Sequence, residues 1–261
     1  MTETTKSKDG TDIAYEKSGR GPAVVIVGGV LGDRSQQADL AELLTERFTV
    51  FNFDRRGHGE TEFKGQYKPD SEYEDLDAVI KTAGGSALVY GTSGAGVIAL
   101  LAAAGDLQST IKKMVIWEPP FILHGTRPKV PSDYKQQLES MLSEGRRGDM
   151  VELFLTTGVG MPKEIVSQLR QMPFWPAQEA FAHTLIYDAT LMGDYSFPED
   201  RISRVKVPTL VIDGGQTPWL TAAADAVAAA MPNAQRRTIP GQPHNVDAKA
   251  IAPSIIEFFK G

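Results

Sequence analysis

The sequence contains no cysteine. Disulfide staples and thiol nucleophiles are thereby excluded, and no thiolate is available to a metal. Histidine is scarce as well. Its four occurrences form no His-Glu-x-x-His run and no close pair, so no metal or other cofactor is expected. Basic residues are in deficit: 27 Lys and Arg against 33 Asp and Glu leave a net charge of −6. This argues against a nucleic-acid partner, which requires clustered cations. No apolar run approaches the roughly 20 residues of a membrane span. The opening Met1-Thr2-Glu3-Thr4-Thr5-Lys6 also lacks a signal-peptide core. The expectation is a cytoplasmic protein with no membrane partner, and nothing in the composition specifies an oligomeric state.

What the chain does contain is a regular alternation. Asp9-Gly10 is a hairpin signal ahead of Ile13-Ala14-Tyr15. Short β-branched or apolar runs follow at Ala23 to Val27, Phe48 to Phe53, Ser86 to Tyr90 and Met114 to Trp117. Between them lie stretches with helical spacing, among them Leu40, Leu43 and Leu44, then Tyr73, Leu76, Val79, Ile80 and Ala83. Short buried strands alternating with amphipathic helices predict a doubly wound, mostly parallel α/β sheet.

After Glu118 the pattern changes. Four helical stretches are expected: Tyr134 to Glu144, Met150 to Thr156, Glu164 to Gln171 and Gln178 to Tyr187. Pro119, Pro120, Pro128, Pro131, Pro162, Pro173 and Pro176 punctuate the region. Strand character resumes at Pro208 to Ile212 and again at Gln235 to Ile239, with helices at Leu220 to Met231 and Lys249 to Phe259. The chain therefore divides into a core domain, 1–118 and 206–261, and a helical cap, 119–205, inserted after the sixth strand. Such a cap would cover the sheet's C-terminal edge, where open α/β sheets bind ligands.

The most informative stretch is Val89-Tyr90-Gly91-Thr92-Ser93-Gly94-Ala95-Gly96. A buried strand runs into small residues around one serine and then into the alanine-rich helical run from Val97. This is the strand–turn–helix of a nucleophile elbow, which raises a serine Oγ above a sheet. Ala95 stands where Gly-x-Ser-x-Gly would have its second glycine. A glycine-rich turn without catalytic duty is the competing reading, so the other groups decide. Serine needs a neighbouring base. His244, in Pro240-Gly241-Gln242-Pro243-His244-Asn245-Val246 between the last strand and last helix, is the candidate. His58 in Asp54-Arg55-Arg56-Gly57-His58-Gly59 is read as supporting a turn, and His124 and His183 fall in the cap.

Order, spacing and surroundings resemble an α/β-hydrolase with a helical lid over essentially the whole chain, which implies an eight-stranded sheet. The resemblance rests on the elbow, the Gly28-Gly29 loop, the Asp54 to Gly59 turn and the terminal Gly-x-x-His loop. It implies an oxyanion hole formed by the backbone N–H groups of Gly94 and Val30, with Gly28 in place of the family's usual histidine. It also exposes a departure: Thr217 occupies the place of the usual acid after the seventh strand. Glu118, just beyond the sixth strand in Trp117-Glu118-Pro119-Pro120, is the expected substitute. That placement is similar to the zearalenone-type lactone hydrolases, as is the dipeptide Thr217-Pro218. Asp213 is the second choice, and Glu118 could instead pair with Arg127.

A serine at the elbow implies acyl transfer through an acyl-enzyme. Bulky cap residues suggest a lipophilic pocket without a fixed charge partner; Leu31, Phe121, Leu123, Trp175, Tyr187, Met192 and Trp219 are its expected lining. The expected partner is a small neutral ester or lactone. Alternatives using the same site are a ligand sensor on a hydrolase scaffold, a C–C hydrolase, a perhydrolase and a biosynthetic cyclase.

Overall fold

The computed structural model describes residues 1–261. Eight strands form one sheet: β1 (Thr2–Lys6), β2 (Asp12–Gly19), β3 (Ala23–Val27), β4 (Thr49–Phe53), β5 (Ala87–Thr92), β6 (Ile111–Trp117), β7 (Thr209–Gly215) and β8 (Ala234–Gln242). Their spatial order is β1-β2-β4-β3-β5-β6-β7-β8. The pairs β1–β2 and β2–β4 are antiparallel, and every later pair is parallel.

The central strands are buried on both faces, which explains their unbroken apolar composition. The two-residue period of a strand sorts their side chains cleanly. Val25, Val27, Val89, Met114, Ile116 and Val211 enter one cluster with α2 (Pro69–Thr82), α3 (Ser93–Ala103) and α10 (Pro218–Ala230). Val24, Ile26, Tyr90, Val115, Trp117 and Ile212 face α1 (Ala38–Leu44) and α11 (Ala248–Lys260) on the other side.

Parallel register aligns the strand ends. Val27 lies opposite Gly91, Thr92 opposite Trp117, and Trp117 opposite Ile212. The residues that follow these ends (Val30, Ser93, Glu118 and Thr217) are therefore delivered to one edge, with His244 arriving just past β8.

Between β6 and β7 the chain forms α4 (Tyr134–Ser143), α5 (Arg147–Leu153), a π-helical turn (Phe154–Val159), α6 (Lys163–Leu169), α7 (Trp175–Phe181), α8 (Leu185–Met192) and α9 (Glu199–Ile202). They bury a separate cluster that includes Tyr134, Leu138, Met150, Val151, Trp175 and Leu185. The expected helix over Gln178 to Tyr187 is two helices joined by a 3₁₀ turn at Ala182–Thr184, and the expected Met150 helix changes pitch at Phe154. Gly160, in the left-handed region at φ +85°, ends that turn. No helix is long and apolar enough to cross a membrane.

Candidate active site

Ser93 is the first residue of α3, at φ +54°. Left-handed backbone at a non-glycine residue costs about 1–3 kcal/mol and persists only where packing enforces it. The enforcement is visible in the glycines. A Cβ on Gly91 would meet Cα of Gly96 at 2.8 Å, and one on Gly96 would meet Ile116 Cγ2 at 2.9 Å. The close approach that demands glycine thus falls on residues 91 and 96. The Ala95 methyl is accommodated in the core, which accounts for the departure from Gly-x-Ser-x-Gly.

Glu118 is 1% exposed and adopts φ +43°. Pro119 disfavours the right-handed helical region for the residue before it. The backbone N–H of Glu118 still donates to Ile212 O at 2.9 Å, extending the β6–β7 ladder by one bond. Its carboxylate is then committed at both oxygens. Oε1 accepts from the backbone N–H of Gly214 at 3.0 Å, and Oε2 lies 2.6 Å from Nδ1 of His244. The His244 loop is held independently by Trp117, whose Nε1 donates to the His244 carbonyl at 2.8 Å.

Neither rival arrangement of the acid is present. Asp213 accepts from Thr221, Thr238 and Arg236, the last at 2.8 Å. Burial would raise its pKa, yet those donors outweigh burial and hold it below the ordinary value. Arg127 does not pair with Glu118. Its guanidinium donates to the carbonyls of Thr157, Gly158 and Val159 at 2.7, 3.1 and 2.7 Å and stacks 4.8 Å from the Trp219 ring centroid.

Ser93, Gly94, Val30, Thr217 and His244 line one cavity of about 270 Å³. That is near the lower end of the roughly 300–1,000 Å³ usual for small-molecule sites. Ser93 and Gly94 open α3, so the unpaired backbone N–H groups and the positive end of that helix lie at the Ser93 side of the site. All four non-glycine residues with positive φ stand at or beside this cavity: Ser93 and Tyr195 line it, Leu31 follows Val30, and Glu118 holds His244. Such strain gathers at functional sites. No group of three or more His, Asp or Glu side chains is placed to hold a metal ion.

The expected pocket lining is met only in part. Met192 and Trp219 line the cavity, whereas Leu31, Phe121, Leu123, Trp175 and Tyr187 do not. Phe121 packs into the sheet's own cluster, edge-on to Phe197. Trp175 belongs to the helical segment's core, with Nε1 donating to Glu179. Tyr187 stacks on Tyr67 with centroids 4.5 Å apart. Leu31 is buried against the helical segment, and Leu123 lies in a turn closed by Thr126. Much of the wall is instead the π-helical turn and its exit (Phe154 and Gly158 to Pro162) together with Asp188 and Tyr195. The pair Gly158 and Gly160 inside a helical pattern was a usable signal for the turn. Asp188, a lone acid in the apolar run Tyr187-Asp188-Ala189-Thr190-Leu191, was one for the wall. Its carboxyl is paired with Arg55, and burial raises its pKa.

The Asp54 to Gly59 turn braces the site from behind. Arg55 and Arg56 are fully buried; Arg55 pairs with Glu72 and Asp188, and Arg56 with Asp75 and Asp9. His58 is buried and stacked on Phe181, and burial together with Arg55 pushes its pKa down to about 3.

This combination of sheet order, elbow and strand-edge groups defines a hydrolase class, and the comparisons with known proteins agree. Residues 24–252 match the model of the alpha/beta hydrolase family, and the chain belongs to that family. Within it, the structure superposes on an alpha/beta hydrolase from Sphaerobacter thermophilus with a TM-score of 0.93 and 46% identity, covering 98% of this chain and 100% of that one. The sequence is 27% identical over 154 residues to the uncharacterized hydrolase YraK of Bacillus subtilis, a match spanning 55% of this chain and 54% of that protein. It is 24% identical to the bifunctional esterase/perhydrolase DCH of Acinetobacter calcoaceticus, over 97% of this chain and 98% of that protein.

Proposed function

We propose that the protein is a serine-dependent hydrolase of small, neutral carboxylic esters or lactones, with Ser93 as nucleophile, His244 as base and Glu118 as the orienting acid. The observation that carries this reading is the 2.6 Å contact between Glu118 Oε2 and His244 Nδ1 at the mouth of the cavity that Ser93 lines. With Nδ1–H donating to Glu118, the His244 Nε2 lone pair is free to take the Ser93 proton. Ser93 Oγ attacks the carbonyl carbon, and the resulting oxyanion is held by the N–H groups of Gly94 and Val30. His244 returns the proton to the departing alkoxide as the acyl-enzyme forms. Water, deprotonated by His244, then releases the acid and regenerates Ser93. With a lactone the alkoxide stays tethered, and the product is a hydroxy acid.

Several features support this substrate class. The cavity is small, and Val30, Pro120, Phe154, Met161, Met192, Trp219 and Leu220 give it apolar walls. Glu118 stands just after β6, the position expected for the acid from the resemblance to zearalenone-type lactone hydrolases. The helical segment 119–205 acts as the cap, inserted into a core of 1–118 and 206–261, and supplies much of the specificity surface. A second reading is favoured by the similarity to an esterase/perhydrolase: hydrogen peroxide in place of water would attack the same acyl-enzyme and release a peracid.

The test is hydrolysis of p-nitrophenyl butyrate and of a panel of lactones, each hit repeated with Ser93→Ala, alongside labelling by a fluorophosphonate. Turnover and labelling that both vanish in Ser93→Ala are expected. Turnover independent of Ser93 points to a cyclase or lyase, and absence of labelling in the parent protein points to a sensor.

A further inference from the structure

Tyr195 is the bulkiest of the non-glycine residues held at positive φ, at +64°. A large side chain in that region is an outlier that its surroundings must enforce. Two backbone bonds supply the enforcement. The Tyr195 N–H donates to Met192 O at 2.9 Å, where α8 ends, and its carbonyl accepts from the Ile122 N–H at 2.7 Å. A β-bridge between Ile122 and Ser196 reinforces the junction. The strained residue is thereby tied to the segment that leaves Glu118.

This backbone sets the Tyr195 side chain in the wall of the cavity that Ser93 and His244 also line. The residue is only 4% exposed and belongs to the core cluster of the helical segment. Its hydroxyl nevertheless makes no hydrogen bond to the protein and, unlike the Tyr134 hydroxyl, is not sealed from contact. With so little of the residue accessible, that opening belongs to the cavity it lines. The polar groups near enough to act on it are Asp188, Arg127 and Tyr134. Asp188 accepts from Arg55 instead, and the Tyr134 hydroxyl has no partner at all. The neighbouring turn's carbonyls, of Thr157, Gly158 and Val159, are taken by Arg127. Burial and the Asp188 carboxylate push the Tyr195 pKa up, so the phenol keeps its proton at neutral pH and can donate.

An unmet hydroxyl in a mostly apolar cavity carries a cost that a bound acceptor removes. A carboxylate is the wrong acceptor, because Asp188 shares the wall and Arg127 does not line it. A ketone or ether oxygen accepts without bringing a donor that would need a partner of its own. We infer that Tyr195 is a specificity-determining residue whose hydroxyl donates a hydrogen bond to a second neutral oxygen of the substrate, a ketone or ether oxygen outside the scissile ester group. This rests on the proposed ester or lactone hydrolysis and narrows it to oxo- or alkoxy-substituted substrates. A site that meets a polar group discriminates against the isostere lacking it, since its own group is then left unpaired.

The experiment compares kcat/KM within two isosteric pairs, corrected for spontaneous hydrolysis. One pair places the oxygen in the acyl part, p-nitrophenyl 4-oxopentanoate against p-nitrophenyl 4-methylpentanoate. The other places it in the alcohol part, 2-methoxyethyl acetate against butyl acetate. The parent enzyme should favour the oxygenated member of at least one pair by about fivefold to a hundredfold. In Tyr195→Phe, which removes only the hydroxyl, the ratio within that pair should fall to near one, whatever the absolute rates become. The free protein gives a second readout. Removing a hydroxyl that no protein atom meets should leave the melting temperature unchanged or raise it. A fall of several degrees would show the hydroxyl to be a structural group and overturn the inference. Equal rates within both pairs in the parent enzyme, or a preference that survives in Tyr195→Phe, overturn it as well. A parent enzyme that hydrolyses none of the four esters would instead overturn the proposed hydrolase function, and this inference with it.

Discussion

The indole N–H of Trp117, the last residue of β6, donates a hydrogen bond of 2.8 Å to the backbone carbonyl of His244, while the next residue, Glu118, holds the imidazole of the same histidine. One strand end therefore fixes both the backbone and the ring of the candidate base. Trp117 is fully buried, so its N–H has no alternative partner in water.

Replacing Trp117 by Phe keeps most of the packing and removes only that donor. The expected result is a fall in kcat of about tenfold with KM little changed, because the His244 loop gains freedom while the cavity wall is intact. Steady-state kinetics on a p-nitrophenyl ester would check this, with the melting temperature as a control for packing.

Glu118→Gln is expected to be far more damaging. The amide is the same size and can still accept from Gly214 N–H, but its NH₂ would face Nδ1 and favour the tautomer with its proton on Nε2. That imidazole cannot accept from Ser93, and the loss of the negative charge leaves the imidazolium unsupported. A decrease in kcat of roughly 10³-fold or more is expected, with KM nearly unchanged. An unaltered kcat would remove Glu118 from the mechanism.

Asp213→Asn separates the two acids. Asp213 binds Thr221, Thr238 and Arg236 rather than the histidine. Activity should stay within a fewfold of the parent, while stability falls by about 1–3 kcal/mol as a charged acceptor is lost beneath Arg236. Because the folded-state pKa of Asp213 lies below its ordinary value, its stabilising effect is present at neutral pH and is lost as pH falls through the acid range. Denaturant unfolding at pH 7 and at pH values below 3.8 should therefore show a smaller penalty for the variant at the lower pH.

His58 makes acid sensitivity a property of the brace behind the site. Its ordinary pKa is 6.5, and burial with Arg55 lowers it to about 3 in the folded protein. Above pH 6.5 it is neutral in both states. As pH falls below 6.5 the unfolded chain takes up a proton that the folded protein refuses, at a cost of up to about 1.4 kcal/mol per pH unit. Asp75 works in the opposite sense between its ordinary value and about 6, where burial, opposed by Arg56, places its pKa. Comparing His58→Gln with the parent protein cancels that contribution. The variant should show a shallower loss of stability between pH 6.5 and 4 in denaturant titrations, and an unchanged slope would contradict the assignment.

Arg127 offers a test of the cavity wall. Its three hydrogen bonds gather the carbonyls that the π-helical turn leaves unpaired, and its stacking on Trp219 ties that turn to α10. Arg127→Ala should raise KM several-fold and leave kcat nearly unchanged, since the residue touches neither Ser93, His244 nor Glu118. Substrate saturation curves distinguish this outcome from a loss of catalytic power.

The alternation of β-branched runs with 3.6-period helices made the sheet legible, because a strand buried on both faces must be apolar throughout and a helix covering it must be apolar along one stripe. The same local logic pointed to Ser93, Glu118 and His244, each of which immediately follows a strand or lies in a loop just beyond one. Parallel register carries those positions to a common edge, so spacing along the chain translates directly into proximity in space. The cavity wall obeys no such rule. Phe121, Trp175 and Tyr187 are as bulky and apolar as Met192 and Trp219, yet they turn to other neighbours. What separates the two groups is how short helices broken by Gly158, Gly160 and a 3₁₀ turn pack over the sheet edge. Long-range packing, with no period to announce it, also decided that Asp188 would share Arg55 with Glu72 and be left with one oxygen unmet.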